Sequence, residues 1–199
     1  MVLGEVVREI RRRAEEYPYI IAIDGTIGSG KSYDAERLHE ALGGNSLLMS
    51  MDLFVRVRRC EWDERIEQGH IVLRQWYDIK KVNRTFQSIK ERKKFKVSSL
   101  YNLANGEIDK EMEIDASACK YFILEGLFSC DDELDGLIDL IVFINVSPEV
   151  SLNRAEARDE AARHLSHRGW IEKKKIFFDG YLPYLKVHRK KADLILEPA

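Results

Sequence analysis

The sequence predicts an α/β domain built on about five parallel strands, and three observations predict it. Short apolar runs recur along the chain, stretches with helical spacing separate them, and the first run leads directly into a Gly-x-x-x-x-Gly-Lys-Ser segment that opens a helix. Parallel neighbours cannot be joined by a tight turn, so the alternation of buried run and helix is the pattern that crossover connections impose.

Val2, Val6, Val7 and Ile10 recur at helical spacing among arginines and glutamates, which predicts an amphipathic helix ending near Tyr17-Pro18. Tyr19-Ile20-Ile21-Ala22-Ile23 is a continuous run rich in β-branched residues, the pattern of a strand buried on both faces. A Gly-rich turn follows, then a helical pattern over 31–42. Further apolar runs at 46–51, 121–124, 140–146 and 193–196 predict the other strands, and 79–92, 148–164 and 171–191 read as helices. The region 56–114 is less regular, with a turn at Asn102-Leu103-Ala104-Asn105-Gly106 and charged clusters beside it, and reads as a substrate-side insertion. No repeat, low-complexity tract or linker divides the sequence, so residues 1–199 are expected to form one domain.

Composition narrows the function. The 45% hydrophobic content of 199 residues fills one substantial core and is short for two enzyme domains. With 32 basic and 34 acidic side chains the net charge is -2, so no global basic field recruits nucleic acid or an anionic membrane. The basic runs Lys93-Lys94, Lys173-Lys174-Lys175 and Arg189-Lys190-Lys191 have acidic neighbours and no interleaved aromatics, which fits solvated helix faces. Cys60, Cys119 and Cys130 are odd in number and contain no Cys-x-x-Cys pair, against a disulfide framework or structural zinc. Arginines interrupt the apolar residues of the first helix, unlike a signal peptide, and a cytoplasmic protein with small-molecule partners is expected; a homo-oligomer is compatible with the sequence.

Gly25-Thr26-Ile27-Gly28-Ser29-Gly30-Lys31-Ser32 lies after a buried strand and before a helix, the context in which this pattern binds polyphosphate. Glycines let successive N–H groups curl inward at the positive end of the helix, forming an anion nest. Lys31 is positioned to offset charge on the β- and γ-phosphates of ATP, and the Ser32 hydroxyl to ligate Mg²⁺.

In an open parallel sheet ligands gather beyond the carboxyl ends of the strands, so acids that close a buried run are candidates for chemistry. Asp52 closes the second run and Glu125 the third, and both are expected to face the phosphate loop. One such acid can accept the proton of an attacking hydroxyl while another holds Mg²⁺. Asp24, directly before the glycines, is at least as well placed to brace the loop. Arg154, Arg158, Arg163 and Arg168 follow the fourth run, in a segment over about 154–170 that reads as a lid. Arg154 and Arg158 are four apart and share a helix face. The five histidines show no metal-ligand spacing, and Trp62, Trp76 and Trp170 read first as core or hinge.

On these residues the chain resembles the uridine kinase and phosphoribulokinase family of P-loop kinases from about Tyr19 to Pro198. The likeness runs through Ile23-Asp24-Gly25, Ser50-Met51-Asp52-Leu53-Phe54, Ile123-Leu124-Glu125-Gly126-Leu127-Phe128, Arg154 to Asp159, and Lys190-Lys191-Ala192-Asp193-Leu194-Ile195-Leu196. The resemblance implies a three-layer P-loop fold with sheet order 2-3-1-4-5, Asp52 as base, Glu125 at the metal, and Arg154 and Arg158 on phosphates. On the substrate side it points to Asp52, Phe54 and Tyr101. There the sequence departs from the family: the Pro-Val-Tyr-Asp-Phe segment of uridine kinases, followed by a histidine, reads Ser99-Leu100-Tyr101-Asn102-Leu103 here, and no histidine follows.

The expected reaction is ATP-dependent phosphorylation of a hydroxyl, with a nucleoside such as uridine or cytidine as the first acceptor. A sugar phosphate or a pantothenate-like or vitamin-like alcohol is the alternative acceptor. The reading from a different class is a nucleotide-binding regulatory module. A GTP switch would show an Asn-Lys-x-Asp segment, which the sequence lacks.

Overall fold

A computed structural model describes residues 1–67, 73–163, 171 and 174–197. Its centre is a five-stranded parallel sheet made of β1 (Tyr19–Gly25), β2 (Ser46–Ser50), β5 (Tyr121–Glu125), β6 (Leu140–Ile144) and β7 (Leu194–Leu196). The spatial order is β2-β5-β1-β6-β7. Counted within this sheet alone the order is 2-3-1-4-5, the expected one. All seven residues of β1 are buried, as are all five of β5, because both strands have neighbours on each side and layers on each face.

Successive side chains of a strand point to opposite faces, and the central strands feed two separate cores. Ile20, Phe122, Leu124 and Phe143 join one; Ile21, Ile23, Ile123 and Val142 join the other. Helices α1 (Leu3–Arg13) and α2 (Lys31–Leu42) cover the second core with Val6, Val7, Ile10, Ala35 and Leu38. The first core is covered by α4 (Ile79–Lys90), through Val82, Phe86 and Ile89, and by α6 (Leu182–His188), through Leu185. Each such buried aliphatic or aromatic side chain contributes about 1.5–3 kcal/mol over its exposed state.

The remaining elements are α3 (Trp62–Glu67), the strands β3 (Lys94–Leu100) and β4 (Lys110–Asp115), and α5 (Pro148–Arg163). β3 and β4 form an antiparallel hairpin inside the irregular insertion, where no strand is expected from the sequence reading. Its signal is a period-2 alternation, Phe95 and Val97 facing Ile114 and Met112, diluted by flanking lysines and glutamates. The second and fourth predicted strands are shortened: Met51 enters a 3-10 turn (Met51–Phe54) capped by Ser50, whose Oγ accepts the N–H of Asp52, and β6 stops at Ile144. The helix expected over 171–191 is interrupted within its described part: a π-helical turn (Phe177–Tyr181) precedes α6, and a 3-10 turn (Arg189–Lys191) follows it. Gly180 and Pro183 account for the break, since proline has no N–H for an interior helical bond and sits at the start of α6. Among the described residues no helix is long and apolar enough to cross a membrane.

Candidate active site

β1 ends at Gly25 and α2 begins at Lys31, so the phosphate loop occupies the turn between the central strand and a helix N-terminus. Gly28 has φ 74°, and a Cβ there would lie 2.2 Å from Ser151 O and 3.0 Å from Ala155 N. The loop therefore packs directly on the first turns of α5, where Ser151 Oγ bonds Thr26 Oγ1 and donates to Ile27 O at 2.5 Å. The Ser29 hydroxyl is wholly buried and has no protein partner among the described residues. A glycine cradle at a helix N-terminus holding an unpartnered hydroxyl is a fit for a polyphosphate.

Gly28→Ala is expected to spread the loop from α5, costing about 1–3 kcal/mol by overpacking in addition to the strain of a left-handed alanine. A thermal melt should show a Tm lower by several degrees and an ATP titration a clear loss of affinity. Wild-type values for both would contradict this packing.

Lys31 is buried, and its ammonium donates to Gly25 O at 2.9 Å and Thr26 O at 2.8 Å. An ammonium has three N–H groups, so these tethers leave one for a ligand. Burial pushes its pKa down, opposed by the carboxylates of Asp24, Glu125 and Asp52; Arg158 adds to the lowering, which puts its guanidinium within electrostatic reach of the loop. Arg154 and Arg158 are exposed on α5. Of the expected lid, the side chain of Arg163 and residues 164–170, with Arg168 and Trp170, lie outside the described residues.

The sheet register brings the carboxylates toward the loop: Glu125 pairs with Ile23 on one side and Ser50 on the other. Ser32 Oγ donates to Glu125 Oε2 at 3.1 Å, so the two expected metal ligands are adjacent. Glu125 is buried, and burial raises its pKa; the Ser50 hydroxyl and Lys31 oppose that rise, while the charge of Asp52 adds to it. Among the described residues no group of three His, Cys, Asp or Glu side chains forms a protein cage for a metal. A serine hydroxyl beside one carboxylate, open toward phosphates, has the sparse donor set that Mg²⁺ accepts.

Asp52 is half-buried one turn beyond β2. Its neighbour Met51 is in close contact with Gly126, where a Cβ would come within 2.7 Å of Met51 Cβ, so the turns after β2 and β5 meet. Tyr77 donates its hydroxyl to Asp52 Oδ1 at 3.4 Å, and burial together with the Asp52 charge pushes the Tyr77 phenol well above its usual pKa. The phenol thus stays a donor that orients the carboxylate. Tyr77 has no assigned role in the sequence reading, although it directly precedes the helix cap Asp78.

Phe54 and Tyr101 are buried in the same core cluster, and Tyr101 N–H donates to the carbonyl of Leu53, next to Phe54, at 2.8 Å. Trp62 stacks on Tyr101, with ring centroids 6.1 Å apart and planes at 14°, and Trp76 leans on Trp62 at 5.8 Å. The Tyr101 hydroxyl has no partner among the described residues. Asp24 is wholly buried and braces the loop by accepting Gly25 N at 2.7 Å. Tyr181, Tyr184 and Cys130, which also donate to it, are not legible from sequence as part of this site; the one local signal is the i,i+3 tyrosine pair around Leu182-Pro183.

The family model described as "Phosphoribulokinase / Uridine kinase family" matches residues 20–199. Curated proteins give no sequence match. Among solved structures, a candidate fructose transport system kinase from a Silicibacter species superposes with a TM-score of 0.72 at 18% identity, covering 100% of both chains. A candidate uridine kinase from Bacillus stearothermophilus gives 0.66 at 16% identity, over 98% of this chain and 96% of that one. D-glycerate 3-kinase from Cryptococcus neoformans gives 0.59 at 13% identity, over 92% of this chain and 85% of the other. At such identities these likenesses speak to the fold.

Proposed function

This chain belongs to the phosphoribulokinase / uridine kinase family, and from that premise we propose that it is an ATP-dependent kinase transferring the γ-phosphate to a hydroxyl of a small metabolite, a uridine- or cytidine-like nucleoside first. The observation that carries this reading is the convergence, beyond the carboxyl ends of the strands, of the Lys31 ammonium, the Ser32–Glu125 pair and the Asp52 carboxylate. MgATP supplies the phosphoryl group and the cationic charge that offsets its migration. The loop cradles the phosphates, and Lys31 directs its third N–H at them. Ser32 and Glu125 hold the metal, and Arg154 and Arg158 close over the nucleotide. Asp52 takes the proton of the acceptor hydroxyl as its oxygen bonds to phosphorus and the bond to the β-phosphate oxygen breaks.

The charges on the substrate side bear on whether the acceptor carries a phosphate of its own. Arg56 Nε donates to Gln75 O and Arg59 Nη2 to Leu103 O, each at 2.7 Å. Arg58 pairs with Glu61 at 2.7 Å, and Arg74 forms a bidentate pair with Asp131. Arg58 and Arg74 are thus neutralised within the protein, whereas Arg56 and Arg59, bonded to backbone carbonyls, keep their charge. A coupled ATP-consumption assay over nucleosides, sugars, sugar phosphates and vitamin-like alcohols tests the choice of acceptor, with a no-acceptor control. Turnover led by nucleosides is expected; turnover confined to sugar phosphates would overturn the acceptor assignment.

Tyr101 is the acceptor contact in this reading, with Phe54 in the same buried cluster and Trp62 stacked on its ring. Its buried, unpartnered hydroxyl costs stability until a ligand engages it, by about 1–3 kcal/mol. Tyr101→Phe should therefore hold or raise Tm while increasing KM for the acceptor several-fold and leaving KM for ATP unchanged. An unchanged acceptor KM would make Tyr101 a core residue only.

A further inference from the structure

Asp24 carries no step of the proposed reaction, yet it is wholly buried and held by four donors. Its Oδ1 accepts Gly25 N at 2.7 Å and the Tyr181 hydroxyl at 2.9 Å, and its Oδ2 accepts the Tyr184 hydroxyl and the Cys130 thiol, each at 3.0 Å. A buried carboxylate is tolerated only when its lone pairs are met in this way. That shell closes Asp24 off from substrate.

The Tyr181 hydroxyl also lies 3.0 Å from Gly25 O, the carbonyl that Lys31 Nζ reaches at 2.9 Å. The single phenolic proton is thus shared between Asp24 Oδ1 and Gly25 O in a three-centre bond, and Gly25 is fixed at its N–H by Asp24 and at its carbonyl by this shared proton together with the ammonium. The Tyr181 ring is itself locked, edge-on to Phe128 at 5.2 Å and stacked on Tyr184 at 5.5 Å. The π-helical turn that ends at Tyr181 precedes α6 and sets this hydroxyl under the phosphate loop, 156 residues away in sequence. Turns of this type recur at functional sites.

We propose that Tyr181 is a positioning residue for Lys31, acting through the carbonyl of Gly25, with Asp24 as the fixed anion that holds the phenol in place. The proposal rests on the reading of this loop as an ATP site. Lys31 has its direction set by the two carbonyls that tether it. Gly25 has no side chain to fix its own, and a Cβ there would lie 2.8 Å from Ile144 O. Loss of the phenol leaves Asp24 with three donors and still satisfied, while Gly25 O loses one of its two anchors and the ammonium loses its aim.

The test is a double-mutant cycle read as ATP affinity, using a fluorescent ATP analogue, with Tm measured for each variant. Tyr181→Phe is expected to weaken binding about tenfold, the scale of a hydrogen bond bearing on a charged group. In the Lys31→Met background the same substitution is expected to change affinity less than about twofold, because the group it positions is gone. Tyr184→Phe removes an equal bond to Asp24 without touching Gly25 O, and it should leave affinity near that of the parent. An equal loss from Tyr181→Phe in both backgrounds, or equal losses from Tyr181→Phe and Tyr184→Phe, would overturn the route through Gly25. No binding by the parent protein would instead remove the ATP reading on which it rests.

Discussion

Asp52→Asn is expected to lower kcat by about 10²–10⁴-fold, the usual contribution of a general base, while ATP affinity stays near that of the parent. The amide keeps the shape and can still accept from Tyr77, which holds Asp52 Oδ1 at 3.4 Å, so loss of proton-accepting power is the principal change. Asp52 also helps keep Lys31 charged, alongside Asp24 and Glu125, and its removal leaves two of those three carboxylates in place. Steady-state kinetics paired with nucleotide titration separate the outcomes. Collapsed ATP binding with preserved kcat would move Asp52 into the nucleotide or metal shell.

Lys31→Ala should cost about 10²–10³ in rate, the scale of removing one donor aimed at developing charge. The structure adds a structural component that the sequence reading does not include. Lys31 is buried and donates to Gly25 O and Thr26 O, so alanine leaves a cavity and takes one donor from each carbonyl, the Tyr181 hydroxyl and Ser29 N–H remaining. Lys31→Met keeps most of the stem volume, and the pair divides the effect: both variants should lose activity alike, and alanine should lose more Tm. Turnover near the parent's in a folded Lys31→Met protein would contradict the role given to the ammonium.

The elements legible in sequence were those whose signals are local. β1, β2, β5, β6 and β7 announce themselves as apolar runs because parallel strands are buried on both faces, and the phosphate loop follows from eight adjacent residues. The rule that ligands gather at strand ends singles out Asp52 and Glu125 as candidates, and the register that sets Ser50 beside Glu125 brings those ends together. The β3–β4 hairpin was hidden because its alternation is short and carried among charges. The shell around Asp24 was hidden for a different reason: Cys130 lies 106 residues from Asp24 and Tyr184 lies 160, and no local pattern encodes a contact made by the return of the chain. Tyr77 belongs with the second case: it lies just before the helix expected over 79–92, and its hydroxyl bond to Asp52, 25 residues away, needs the fold.

The most direct test of the phosphotransferase assignment is to follow the label from ATP radiolabelled at the γ-phosphate in the presence of Mg²⁺ and the acceptor panel. The arrangement of Lys31, Ser32, Glu125 and Asp52 predicts label in an organic phosphate monoester, dependent on Mg²⁺ and lost in Asp52→Asn. Label retained in ATP with every acceptor, or released only as inorganic phosphate at a rate no acceptor changes, would contradict it.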